Sequence, residues 1–265
     1  MMVMCSSILH SRNLHIRAIT HTDVGCVRWN NEDSARFMFM EGSKNEFMAV
    51  LADGMGGYEH GEEASAIMVN TLCEDQSQKI GKNPRNWLLD MFRKANRNIY
   101  ALSQDHGSVM GTTCSTLLVW KNKIWCAHMG DSRIYMLSKG KLNQLTCDHT
   151  VVGAMLRKGG ITKEEALVHP QRNVLTQAIG TSLQIEPDIF RITTPIKRGD
   201  RFLLCSDGLY DLVSDTEICN ILLQTSLKKA AWSLVDSAKR YGGHDNITVI
   251  IVEINVKSNK ECDES

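Results

Sequence analysis

Four aspartates stand at the ends of apolar runs. Asp53 follows Phe47–Ala52, Asp207 follows Phe202–Ser206, Asp131 follows Ile124–Met129 after one glycine, and Asp245 precedes Ile247–Val252. A single carboxylate at a strand end is usually a turn former or a helix cap. Four of them, most beside glycine, are better read as one gathered set. Glycine lets the backbone approach closely, because it has no Cβ to clash. In Asp53-Gly54-Met55-Gly56-Gly57 the Gly54 carbonyl is placed to join the carboxylate as a second oxygen ligand, and Asp207-Gly208 and Gly130-Asp131 repeat the pairing. Oxygen ligands select hard cations, Mg²⁺ or Mn²⁺ over Zn²⁺. No two of the nine histidines stand four apart, so a helical zinc-hydrolase pair has no support.

Converging carboxylates repel one another unless cations offset them. Two divalent ions would balance four carboxylates and leave positions open for water, whose pKa metal coordination lowers from 15.7 towards ~7. That chemistry suits phosphate monoesters, whose uncatalysed hydrolysis is among the slowest known. The anionic substrate then needs an anchor, and Arg28 is the candidate, since guanidinium binds two phosphate oxygens at once. Neither a G-x-x-x-x-G-K-[ST] loop nor a C-x5-R loop is present. Cys126 and Cys205 lie inside strand patterns and read as core rather than as nucleophiles.

These groups need a scaffold of strands. Runs at Ala35–Met40, Glu46–Ala52, Thr113–Trp120, Lys123–Met129, Arg133–Ser138, Arg201–Ser206 and Ile247–Ile254 read as strands, with a hairpin turn at Ser138–Lys141. Ala64, Ile67, Met68, Thr71 and Leu72 form one helical stripe; Leu88, Met91, Phe92, Ala95, Ile99 and Leu102 form another. Ser214 and Glu217 are spaced as a capping box before Ile218, and Ala230, Leu234, Val235 and Ala238 mark a further helix. Hairpin-like spacing favours antiparallel sheets covered by helices over a βαβ series. Residues 148 to about 185, with a short helix at Val151–Lys158 ended by Gly159-Gly160, form a candidate flap.

The 265 residues suit one large domain, expected over 15–256 with tails at 1–14 and 257–265, and 43% hydrophobic residues suffice for a substantial core. Lys plus Arg and Asp plus Glu both total 30, which argues against a nucleic-acid partner. Nine scattered cysteines without a C-x-x-C pair fit reduced thiols in a cytoplasmic protein. No signal peptide or membrane span is expected.

The motifs, taken in order, are recognisable. They are Val27-Arg28-x-x-Asn31-Glu32-Asp33-Ser34; Ala52-Asp53-Gly54-Met55-Gly56-Gly57 with Gly61-Glu62-x-Ala64-Ser65; Gly111-Thr112-Thr113; and Gly130-Asp131-Ser132-Arg133. Leu145-Thr146-x-Asp148-His149, His169-Pro170-x-Arg172-Asn173-Val174-Leu175-Thr176, Ser206-Asp207-Gly208-Leu209 and Gly243-x-Asp245-Asn246-Ile247-Thr248 complete the series. From about Ala18 to Val252 the chain resembles the metal-dependent protein phosphatases (protein phosphatase 2C, or PPM), most closely their compact bacterial members. The resemblance implies an α+β fold: a four-layer α-β-β-α sandwich of two antiparallel sheets flanked by helices, with the flap as an insert. It implies hydrolysis of phosphoserine and phosphothreonine by a metal-bridged hydroxide, with two Mn²⁺ or Mg²⁺ ions and room for a third. Asp53 would bridge both metals, with the Gly54 carbonyl on the first and Asp207 and Asp245 on the second. Glu32 and Asp33 would hold metal-bound waters, Arg28 the substrate phosphate, and Asp131 and Asp211, with Asp207, the third ion. Implied partners are phosphorylated proteins, among them a Ser/Thr protein kinase, acted on by a monomer.

There are departures. Met55 stands where some members carry a histidine that serves as general acid, and methionine has no proton to give. Tyr58 stands where bacterial relatives commonly have histidine; neither it nor His60 is expected to be catalytic. Gln177, in Thr176-Gln177-Ala178, replaces a frequent arginine, which bears on substrate contacts there. The competing reading is a non-catalytic member that binds phosphoproteins as a regulator. Retention of Asp53, Asp207 and Asp245 speaks against it.

Overall fold

The computed structural model describes residues 14–40, 43, 45–56, 60–74, 80–81, 83–223 and 226–256. Tyr58 and most of both expected tails lie outside them. The chain opens with strands β1 (Leu14–Asp23), β2 (Asp33–Phe39) and β3 (Phe47–Gly56), followed by helices α1 (Gly61–Glu74) and α2 (Pro84–His106). Strands β4 (Met110–Thr112), β5 (Cys114–Trp120), β6 (Lys123–Met129), β7 (Arg133–Ser138) and β8 (Lys141–Gln144) come next. The flap region holds α3 (Val151–Arg157) and α4 (Lys163–Leu167), and β9 (Asp188–Arg191) follows. The chain then runs through β10 (Asp200–Cys205), α5 (Asp207–Tyr210), α6 (Asp215–Leu222), α7 (Leu227–Arg240) and β11 (Ile247–Val256).

The strands form two antiparallel sheets. One has the order β1-β11-β10-β7-β8; the other runs β2-β3-β5-β6-β9, with β4 paired to β3. Alternation sends Phe47, Ala49 and Leu51 of β3 into the space between the sheets, where they meet Phe202 and Leu204 of β10 and Ile250 and Val252 of β11. The opposite residues of β3, Met48, Val50 and Ala52, pack under α1 and α2 with Met68, Leu72, Leu88 and Phe92. On the far side, Leu203, Cys205, Val249 and Ile251 pack under α6 and α7 with Ile218, Leu222, Leu234 and Val235. Helix, sheet, sheet, helix: the expected four layers are present.

Local signals set the element ends. Asn83 caps α2 through Asn86 N, with Pro84 at its first position, and Gly107 (φ 63°) stops it in the left-handed region. Ser214 caps α6 by accepting from Glu217 N, which is half of the expected capping box; the Glu217 carboxylate instead accepts from the Tyr241 hydroxyl. Lys139 and Gly140 both have positive φ and close the β7–β8 hairpin.

Candidate metal centre

The acids meet where the two sheets present the same edge. Asp33 and Asp53 are direct cross-strand partners on β2 and β3. Asp207 is the first residue of α5, immediately after β10 and Ser206, while Asp245 precedes β11. Because β10 and β11 are paired, both come to the end of one sheet that faces Asp33 and Asp53 of the other. Asp131 enters from the β6–β7 connection and Asp211 from the end of α5.

Polar side chains fasten the two sheets together here. Ser206 Oγ donates to Asp33 Oδ2 at 2.8 Å and accepts from Thr248 N at 3.0 Å. The buried Asn246 amide donates to the Val24 and Asn30 carbonyls, and its Oδ1 accepts from Glu32 N at 2.8 Å. Asn246 therefore holds the whole 24–32 loop, Arg28 included, against the start of β11. Thr113 Oγ1 accepts from Asp53 N at 3.0 Å and shares a 2.6 Å hydrogen bond with the Ser132 hydroxyl, which ties Asp53 to the Asp131 turn. Gly54 has no room for a side chain: a Cβ would lie 2.0 Å from the Gly61 carbonyl oxygen and 2.6 Å from that of Glu32. At Gly208 a Cβ would meet the Asn246 carbonyl oxygen at 2.1 Å.

The electrostatics are those of crowded like charges. Burial first, and then Asp33, Asp207, Asp131 and Asp245, push the Asp53 carboxyl well above its ordinary range. Asp207 is driven the same way by burial and by Asp131, Asp245, Asp211 and Asp33. Burial raises Asp33 to about 6 even though hydroxyls hydrogen-bond to it, and burial together with Asp148 raises Asp131 to about 7. Burial also raises Glu32 and Asp211. Arg28 sits at the rim, its side chain 50% exposed, and donates to Asp245 Oδ2 at 2.7 Å. Burial alone would lower its pKa, but that hydrogen bond together with the negative charges of Asp245, Glu32 and Asp207 raises it.

Divalent cations fit this donor set. It is built of oxygens, as Mg²⁺ and Mn²⁺ require. Asp33 Oδ1 is buried and, as a carboxylate oxygen, receives no hydrogen bond from the described residues. A buried acceptor left so is costly unless a cation or a water fills the gap.

The other expected residues are placed as follows. Met55 pairs with Gly111 across β3 and β4, and its Cε would be 2.9 Å from a Cβ built there. His60 turns away from the acids, towards Glu63 and His106. Gln177 is exposed in the flap region, whose Asn173 donates to Asp211 at 3.4 Å. Ser206, Thr113, Asn246 and Asp148 were visible in the motifs, but their positioning roles were not. Asp148 accepts three hydrogen bonds from Arg133, whose guanidinium carbon lies 3.5 Å from the Tyr210 ring centroid.

Known proteins resemble this chain in sequence and in fold. A family model described as protein phosphatase 2C matches residues 28–237. The serine/threonine phosphatase stp of Listeria welshimeri is 38% identical over 242 residues, 89% of this chain and 94% of its own. The crystal structure of the Mycobacterium tuberculosis serine/threonine phosphatase PstP/Ppp superposes with a TM-score of 0.81 at 36% identity, covering 90% of this chain and 98% of that one. The catalytic domain of PstP in complex with two manganese ions superposes at 0.80 with 34% identity, covering 91% and 99%. By sequence and by fold, the chain belongs to the protein phosphatase 2C family.

Proposed function

We propose that this chain hydrolyses phosphoserine and phosphothreonine in proteins, with two Mn²⁺ or Mg²⁺ ions held by Asp53, the Gly54 carbonyl, Asp207 and Asp245. The observation that carries the reading is the crowding of Asp33, Asp53, Asp131, Asp207 and Asp245, buried or half-buried acids from both sheets whose burial and charges raise the Asp53 and Asp207 carboxyls. When bound, the cations supply Lewis acidity and lower the pKa of coordinated water towards ~7. Glu32 and Asp33 would orient water beside the ions, and Asp131 and Asp211, with Asp207, would hold a third ion. Arg28 releases Asp245 and takes the substrate phosphate through its forked donors. Met55 offers no proton to the leaving oxygen.

The catalytic unit in this reading is the single domain 15–256, with 148–185 as its flap. Its substrates are phosphorylated proteins, a Ser/Thr protein kinase among them, and it works as a cytoplasmic monomer. Among the described residues no helix is long and apolar enough to cross a membrane.

The test is release of phosphate from a phosphothreonine peptide with Mn²⁺, then with excess chelator. Activity that appears with metal, disappears with chelator and survives mild thiol alkylation is expected. Full turnover in chelator would overturn the reading.

A further inference from the structure

The geometry points to a second kind of metal site, made of His60, Glu63 and His106, that takes a borderline transition ion such as Zn²⁺. It stands apart from the acid cluster in its ligands. Two imidazoles and one carboxylate are the donor set that suits zinc, whereas magnesium avoids imidazole.

Three pieces of local structure bring these groups together. His60 immediately precedes α1, and Glu63 lies in that helix's first turn. His106 is the last residue of α2, held there because Gly107 turns left-handed and stops the helix. Since α1 and α2 share one core under β3, the start of the first meets the end of the second. His60 Nδ1 lies 3.8 Å from Glu63 Oε2, and His106 Nε2 lies 3.9 Å from the same oxygen. The three ligand atoms all fall within 4.8 Å of one another. With bonds of about 2.0–2.2 Å, a tetrahedral zinc needs ligands roughly 3.3–3.6 Å apart. Modest rotation of half-exposed side chains closes that difference. The two rings are stacked, centroids 4.3 Å apart and 24° from parallel, so one ring must turn about its side-chain torsions before both in-plane nitrogen lone pairs meet one ion. A fourth position would remain for water.

Such an ion would clamp the α1–α2 pair at the residue before Gly61, whose carbonyl oxygen packs against Gly54. The hard-cation cluster would thus have a transition-metal site for a neighbour, joined to it through backbone.

The experiment uses the full chain saturated with Mg²⁺, titrated with Zn²⁺ by calorimetry and with Co²⁺ by visible absorption. Wild type should bind one zinc equivalent that His106→Gln and Glu63→Gln bind at least tenfold more weakly. It should also give a nitrogen-ligated Co²⁺ band that both variants lack. Zinc should raise the melting temperature of wild type and not of His106→Gln. Asp53→Asn should keep this zinc equivalent while losing turnover, so the site stands or falls independently of the proposed phosphatase centre. Equal zinc affinity and stoichiometry in wild type and both variants would overturn the proposal. So would loss of the equivalent in Asp53→Asn alone, since the zinc would then be in the acid cluster.

Discussion

Asp131→Asn should stabilise the metal-free protein at neutral pH and leave it unchanged near pH 4. Asp131 is 6% exposed, and burial together with Asp148 raises its carboxyl from the ordinary 3.8 to about 7. Between these values the folded chain keeps a proton that the unfolded chain has released. Stability therefore falls as pH rises from about 4 to 7, and below that window neither state is penalised. At ~1.36 kcal/mol for each pH unit of the difference, the charge costs about 4 kcal/mol once both states are ionised. Asparagine keeps the shape and removes the charge. An unfolding entropy of about 2.1 cal/mol/K per residue over 265 residues turns 4 kcal/mol into a rise of about 7 °C. Thermal melts in chelator from pH 4 to 8 measure it: the two curves should coincide at the acid end and diverge through neutrality. Saturating Mn²⁺ should shrink or reverse the gap, because only wild type keeps the full acid set. Parallel curves in chelator across the whole range would refute the argument that like charges crowd Asp131.

Three further outcomes are expected. Arg28→Ala should raise KM more than it lowers kcat, because the guanidinium meets the same phosphate oxygens before and during reaction. Losing roughly 1.5–3 kcal/mol of charged hydrogen bonding lowers kcat/KM about ten- to a hundredfold, with part recovered in Arg28→Lys; unchanged steady-state kinetics would place the anchor elsewhere. Asp53→Asn should abolish turnover while melting as a folded protein, and an active variant would remove Asp53 from the centre. Glu253→Ala should destabilise by about 3–5 kcal/mol in denaturant titration, since it strips the carboxylate from the buried Arg201 guanidinium and from Arg17; a loss below ~1 kcal/mol would show that other contacts carry Arg201.

What the sequence revealed depended on burial. Strands β5, β6, β7, β10 and β11 are buried along most of their length, so they show as continuous apolar runs and were found within about two residues. The edge strands β1, β8 and β9, and the three-residue β4, were missed. In β1, exposed His15 and Arg17 alternate with Leu14, Ile16 and Ala18, and beyond them exposed Thr20 and Thr22 leave only half-buried Ile19 and His21 facing inward. Only pairing with β11 makes that segment a strand. The four-residue β9 carries no period long enough to read. Within the site, Asp53, Asp131, Asp207 and Asp245 announced themselves by standing at the ends of apolar runs. The groups that aim them did not, because a serine, a threonine and an asparagine look like ordinary turn residues until the two sheets are brought together. Arg28 stood out as a candidate phosphate anchor, but its ion pair with Asp245 spans 217 residues and has no local signal.

The seam between the sheets has a bearing on how long the chain survives. Asp33 and Asp53 belong to one layer and Asp207 and Asp245 flank strands of the other, so ions bound among them would add rivets to the apolar interface and to the few hydrogen bonds from Ser206 and Asn246 that join the sheets at this edge. A ligand that binds only the folded chain stabilises it by about 2.7 kcal/mol at a hundredfold excess over Kd. Without metal, the same four acids push the layers apart at that edge. Manganese or magnesium supply would then govern the abundance of the protein as well as its rate. A starved cell would hold more of it in opened forms, which proteases clear.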